Sequence, residues 1–466
     1  MKKQFKLGIL TLFFVGVVIL CLILKKIYIL EIGILTLYLY GWLNFIYSKK
    51  KPIGFIIFWM SLLFFNLNKI FFDLFGIEKW DKMTWWINYT YSEKAKWYTL
   101  IIVFLALYSI LFGGIVGDNR KKIFYKIKIT KLTKNISFVL FLYSTLIFFL
   151  KTLAELRVIS KLGYVSIYTG TLDQINYPIW YTGNSILIKL SFYTLLINKM
   201  KKKTFLVYSI IYLMLYFISS FKGQRVFFIS ELLIIIYLYI KIYCIKINFK
   251  FYLKYIIIFI GILFFIFFME TFRGNGTLGN LKIIERLNDY SSNLDIITLY
   301  LDFQDKGLRE LNYFFAPITD GINNILNYSI FKEGYSEMYL KYRQELSIQL
   351  SAFLNKSLYL KGYGLGGNYL ADIYSTFGII GIFIINFIIG FLLFRDYIFF
   401  RSKYLIILYI FFFKKLIYAP RASLLFLPHE VLLIWIYIFI LNFIGRRKKN
   451  VKINNKEFMS KQKFNI

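Results

Sequence analysis

The sequence predicts an all-α integral membrane protein with about 12 transmembrane helices and one large, partly helical loop on the outer side. Three observations predict it. The chain of 466 residues is 59% hydrophobic, and its apolar residues gather in runs near the ~20 that a helix needs to cross a hydrocarbon core. Its 58 Lys and Arg residues, a formal charge of +34, lie in short clusters between those runs, which is how cytoplasmic loops are marked. Twelve of its 24 acidic residues fall in one stretch, Glu270 to Asp372.

The first run, Leu7 to Leu24, follows a basic MKKQFK segment. It lacks a small-residue cleavage site and leads straight into another run, so it reads as a retained helix rather than a signal peptide. Next come Ile27 to Tyr47, Ile53 to Phe75, Trp97 to Val116 and Ile136 to Leu150. Asn184 to Asn198, Phe205 to Ser220, Val226 to Cys244 and Tyr255 to Met269 complete the first group. Ile373 to Phe394, Tyr404 to Leu416 and Leu424 to Ile444 follow the acidic stretch. An even number of spans places both termini on one side. Asp118 to Asn135 carries seven basic residues against one acid, and the tail from Gly445 carries eight against one, which makes that side cytoplasmic. Lys25 and Lys26 are the exception, in a tight outer turn. The expected divisions are helices one to nine over 1–269, an outer loop over 270–372, helices ten to twelve over 373–444, and a basic cytoplasmic tail over 445–466.

The outer loop breaks the chain's charge bias, with ten basic residues against its twelve acids. Within it Ile283, Leu287, Tyr290, Leu294, Ile297 and Leu301 recur in steps of four and three, as do Tyr339, Tyr342, Leu346, Leu350 and Phe353 after a helix start at Ser336 and Glu337. Two amphipathic helices are expected there, lying on or dipping into the outer membrane surface.

Nucleic acid is excluded as a partner because the positive charge is loop marking and forms no continuous stripe. Cys21 and Cys244 have no metal-ligand spacing and no nearby partner, so neither a disulfide framework nor a metal site is indicated. No Gly-Lys-Ser/Thr follows the glycines discussed next, which excludes a nucleotide P-loop.

The sharpest local signal is GYGLGGNYLADIYSTFGIIG, Gly362 to Gly381. It resembles the signature of bacterial O-antigen and oligosaccharide repeat-unit polymerases, the Wzy family, in which a Gly-x-Gly turn precedes an acidic residue, a Tyr and a Phe-Gly pair entering a membrane helix. About twelve spans with a large outer loop before the signature extend the resemblance. One pattern of that family is missing: neither Arg157, Arg225, Arg273 nor Arg343 has glycine eleven positions on, so no catalytic arginine carries over.

The resemblance implies a glycosyltransferase at the outer face of the bacterial inner membrane. It would move a growing glycan from one undecaprenyl diphosphate onto a second lipid-linked repeat unit, with no nucleotide, metal or other cofactor required. A chain-length regulator is a candidate partner, alongside membrane lipid. Basic residues at outer helix ends run against the topology rule, so Lys222, Arg225, Arg273 and Arg421 are the diphosphate candidates. Snorkelling to ordinary headgroups is the competing explanation. Asp372, His429 and Glu430 are the candidates for removing the acceptor's proton; for His429 and Glu430 an interfacial hydrogen-bonded pair competes. Tyr363, Asn368, Tyr369 and Tyr374 are the sugar-contact candidates. Trp85, Trp86, Asp302, Arg309 and Glu310 are weaker ones, explained equally by an aromatic belt or a solvated face. The alternatives are a lipid-linked oligosaccharide flippase, which predicts charge in mid-span and two pseudo-symmetric halves, and an O-antigen ligase. Charge is expected here mostly at span ends.

Overall fold

The computed structural model describes residues 2–48, 52–83, 86–118, 130–163, 166, 183–198, 200–222, 225–245, 261, 283–309, 311–327 and 336–443. The first five helices are α1 (Lys2–Leu24), α2 (Ile27–Tyr47), α3 (Ile53–Leu74), α4 (Glu93–Gly117) and α5 (Lys131–Leu162). They are followed by α6 (Asn184–Ile197), α7 (Lys202–Ser220) and α8 (Arg225–Ile242). The insert contributes α9 (Ile283–Tyr290), α10 (Asn293–Phe303), α11 (Ala316–Leu326), α12 (Glu337–Tyr342), α13 (Leu346–Leu354) and α14 (Lys356–Leu360). The last three are α15 (Tyr369–Phe394), α16 (Lys403–Tyr418) and α17 (Pro428–Phe443). Among the described residues the single sheet is a two-residue antiparallel pair, Lys82–Met83 with Tyr89–Thr90.

This is an all-α integral membrane protein. Among the described residues seven helices, α1 to α5, α7 and α15, are long and apolar enough to cross a membrane, and α6 and α17 are shorter apolar helices. Large apolar side chains face outward along them, such as Leu12 at 75% exposure and Phe439 at 71%; water would oppose that placement and lipid favours it. Of the expected runs, Tyr255 to Met269 lies outside the described residues except at Gly261, and each of the others falls on a helix. The last run was expected from Leu424, but its helix begins at Pro428. Proline biases the residue before it away from helical geometry and tolerates the first helical turn.

The central contact pairs α4 with α15. A Cβ on Gly113 or Gly117 would strike the backbone of Phe387 or Phe391, and one on Gly390 would strike the backbone of Ile110. Missing side chains therefore let the two helices approach at backbone distance, the usual device of membrane helix pairs. Asn368 caps α15, its side chain accepting from the Leu370 N–H at 3.0 Å. Gly378, with φ of 60°, interrupts the helical backbone of α15, a conformation glycine adopts without steric cost.

The insert packs into the bundle instead of lying over it. Its first periodic set is split into α9 and α10, because Ser291 Oγ donates to the Leu287 carbonyl and Asn293 Nδ2 to that of Tyr290, both at 2.9 Å. Such local bonds compete with helix continuation. The α10 helix is buried: Asp295 pairs with Lys69 at 2.6 Å and accepts from Trp80 at 3.0 Å, while Asp302 accepts from Ser92 at the start of α4. The second set does begin at Ser336, which caps α12 by accepting from Tyr339 at 3.1 Å. It then breaks at Arg343 to Glu345 before α13, whose Leu346 and Leu350 are buried.

Gly113→Ala is expected to cost about 1–3 kcal/mol by overpacking, read as a lower unfolding temperature in detergent. Gly16→Ala, where a Cβ meets nothing within 4 Å, is expected to leave that temperature unchanged.

Candidate functional site

One cavity of about 720 Å³ gathers ten charged side chains from separate elements. Its walls come from α5, α6, α7, α8 and α16, from the segment 422–430, and from the insert through Pro317, Asp320, Arg343 and Glu345. Six basic side chains line it, Lys151, Lys189, Lys222, Arg343, Lys414 and Lys415, against four acids, Glu155, Asp320, Glu345 and Glu430. Phe148, Tyr216, Phe227, Phe411, Tyr418 and Phe426 supply ring surface. A concave site with apolar walls and converging charges is suited to an anionic ligand that also carries hydroxyl-rich or apolar parts.

Local sequence explains the placement. At 32 residues α5 is ~48 Å long by helix rise, longer than a single crossing needs, and it brings Lys151 and Glu155 to the cavity. Lys222 follows the end of α7 and reaches Glu155 Oε2 at 2.6 Å, with Lys151 at 3.9 Å from the same carboxylate. Glu231, fully buried on α8, takes Lys414 of α16 and the Tyr193 hydroxyl of α6. Lys414 also lies 5.7 Å from the Tyr216 and Phe227 rings, a favourable place for an ammonium group.

The break between α12 and α13 turns Arg343 and Glu345 into this cavity. Gln344 N donates to Asp320 Oδ1 at 2.6 Å, and Gln349 Nε2 donates to the carbonyls of Leu340 and Arg343. Arg343 lies 3.5 Å from Asp320 Oδ2 and 3.2 Å from Glu345. Burial pushes the Asp320 carboxyl up to about 6, against the opposing pull of Arg343 and the Gln344 amide.

The sequence-derived candidates scatter around this site. Lys222 and Glu430 line it. Asp372 is buried just behind the wall with Ser423, a lining residue, beside its carboxyl group. Arg421 lies outside the lining, 5.9 Å from the Phe65 and Tyr290 rings, and its carbonyl accepts from Gly367 at 3.1 Å. It thereby braces the glycine loop. Arg225 starts α8 beyond the lining, His429 is exposed, and Arg273 lies outside the described residues.

The sugar-contact candidates stand apart from the cavity. Besides capping α15, Asn368 donates to Asn66 at 3.1 Å and to the Asn293 carbonyl at 2.9 Å, joining α3, α10 and α15. Tyr369 is fully buried and donates to Asn386 at 2.9 Å. Tyr363 is exposed, and Tyr374 sits edge-on to Tyr300. Trp86 is buried, Asp302 caps α4 through Ser92, and Arg309 donates to the Lys341 carbonyl at 3.3 Å. Trp85 and Glu310 lie outside the described residues.

Sequence reasoning missed Lys189, Glu231, Lys414 and Lys415. All four interrupt apolar runs, which corrects the expectation that charge sits mostly at span ends. That interruption was the available signal, since ionisable groups within spans are costly and kept for function. Lys189 is five residues into α6, Glu231 six into α8, and Lys414 four from the end of α16, so each lies ~6–9 Å from a helix end.

A family model described as O-antigen polysaccharide polymerase Wzy matches residues 6–450. No curated protein and no solved structure matches.

The Asp320 carboxyl is raised from its ordinary 3.8 to about 6 in the fold. Between those values the folded chain holds more protons than the unfolded one, so stability falls as pH rises from ~4 to ~6 and then levels off. Asp320→Asn is expected to remove that slope. Unfolding temperatures of both proteins from pH 4 to 8 check it; a wild type that gained relative stability across the window would contradict it.

Proposed function

This chain belongs to the O-antigen polysaccharide polymerase Wzy family, and we propose that its charged cavity is where the polymerisation of O-antigen repeat units takes place. The protein is a glycosyltransferase-type polymerase acting on lipid-linked oligosaccharide repeat units. The observation that carries the assignment of the cavity is the convergence of six basic side chains from separate elements, most of them within two turns of a helix end. Phosphate oxygens of a membrane-anchored diphosphate arrive at that depth, and ammonium and guanidinium groups bind them by charge-assisted hydrogen bonds.

In this reading the donor and acceptor are linked to undecaprenyl diphosphate and meet on the outer face of the inner membrane, with both termini cytoplasmic. An acceptor hydroxyl oxygen bonds to the donor's anomeric carbon while the bond from that carbon to the diphosphate breaks. The electron pair leaves on the diphosphate, whose developing charge the cavity's basic groups stabilise. The acceptor proton passes to a carboxylate. Glu430, which lines the cavity, is the first candidate, and Asp372 behind Ser423 is the second. A diphosphate leaves readily, so the step requires neither metal nor nucleotide. Arg421 supports the site through the glycine loop, whereas roles for Arg225 and His429 would need them brought to the ligand from outside the lining, and Arg273 lies outside the described residues. A chain-length regulator would act on the same assembly from the membrane.

A host lacking this chain, complemented at matched membrane levels, tests the reading. Glu430→Gln and Lys222→Met are each expected to remove most long glycan chains while single repeat units still reach the outer surface. Wild-type chain lengths in both variants would place the chemistry elsewhere; repeat units stranded on the cytoplasmic side would point to transport.

A further inference from the structure

The basic side chains of the cavity differ in how well they are neutralised. Lys222 has Glu155 at 2.6 Å, and Arg343 stands between Asp320 and Glu345. Lys414 has Glu231. Lys189 has no carboxylate within ion-pair distance among the described residues, although it lines the cavity and feels another cation, Lys414, as well as Glu231. Lys415 likewise lacks an acid and rests 5.7 Å from the Phe426 ring.

Of these three ammonium groups, from α6 and α16, only that of Lys414 has a carboxylate at ion-pair distance among the described residues, Glu231. Glu430 also lines the cavity and faces Lys189 at longer range. Like charges held together away from water oppose folding unless an anion completes the site. Conversely, the same excess charge is already arranged for that anion. Lys189 and Lys414 each lie ~6–8 Å from an end of their helix. Ring and aliphatic groups of Phe411, Phe426 and Leu427 border the same wall.

We propose that Lys189, Lys414 and Lys415 form the seat of the donor's polyprenyl diphosphate, with Glu231 a positioning residue that holds Lys414. The proposal rests on reading the cavity as the polymerase site, and it divides that site in two. The α6–α16 wall takes the donor's diphosphate, which carries one negative charge on each phosphate and gains another on the terminal phosphate as the sugar is transferred. The Lys222–Glu155 pair, already neutral as a pair, borders the remaining space, where the sugars lie.

Equilibrium binding of undecaprenyl diphosphate to the purified full chain in lipid nanodiscs tests it, with undecaprenol as the uncharged reference. Lys189→Met is expected to weaken diphosphate binding by at least about tenfold. Because it removes an unpaired charge, it should also unfold at the same or a higher temperature than wild type. Lys189→Arg should retain binding, Lys222→Met should lose less than about threefold, and the exposed Lys356→Met should bind as wild type. Wild-type affinity in Lys189→Met with a large loss in Lys222→Met would move the diphosphate to the other wall and overturn the proposal while leaving the cavity as the site. Loss of binding together with a lower unfolding temperature, unrescued by Lys189→Arg, would make Lys189 a structural residue. Undiminished binding in both methionine variants would overturn the cavity assignment as well.

Discussion

A charge carried into a bundle of apolar helices must meet a counter-charge, and this constraint governs where most of the chain can go. Removing ions from water is expensive, and a partner in good geometry offsets that cost. Lys69 with Asp295, Lys241 with Asp396, Lys222 with Glu155 and Lys414 with Glu231 each join elements far apart in sequence. Together they fix the insert to α3, α8 to the segment after α15, α5 to the end of α7, and α8 to α16. Apolar packing alone would leave these helices freer to rotate, because lipid tails compete equally well for apolar surface.

The bundle accordingly has two parts with different physics. Around α4 and α15, glycines permit backbone approach and few charges enter. Around α5 to α8 and α16, polar and ionic groups converge on an open volume. The glycine-rich segment bridges the two. Its Gly367 donates to the Arg421 carbonyl, and the helix it leads into carries Asp372 up to Ser423 on the cavity wall. A rigid half thus supports a half in which ligands and side chains can rearrange, as preorganised sites require.

Length and hydropathy made the helices legible: Ile27–Tyr47 and the helix ending at Phe394 sit where the apolar runs put them. The Ser336 cap was equally readable, since a short hydroxyl before Glu337 has a single local task. The site was not. Asn368 and Tyr369 carry the signature's polar groups, yet Asn368 bonds to Asn66 and Asn293 in other parts of the fold, and Tyr369 to Asn386 beyond the break at Gly378. Spacing along the chain contains no record of such distant partners. Lys189 and Lys414 were hidden differently, inside runs whose average hydropathy concealed one charged residue. The two insert helices were overextended because periodicity continues through Ser291 and Arg343, whereas side-chain bonds to the backbone stop the helix there.

The junction at Arg343 and Glu345 has a consequence for how the protein responds to its ligand. The groups that fasten α12 and α13 to Asp320 are also groups that a ligand in the cavity meets. A bound anion competes with Asp320 for Arg343, and a cation-bearing ligand competes for Glu345. Occupancy and insert docking are therefore linked equilibria, each shifting the other by the same free energy. Whatever draws Arg343 or Glu345 away from its partners therefore loosens the seat of α12 and α13 on the bundle.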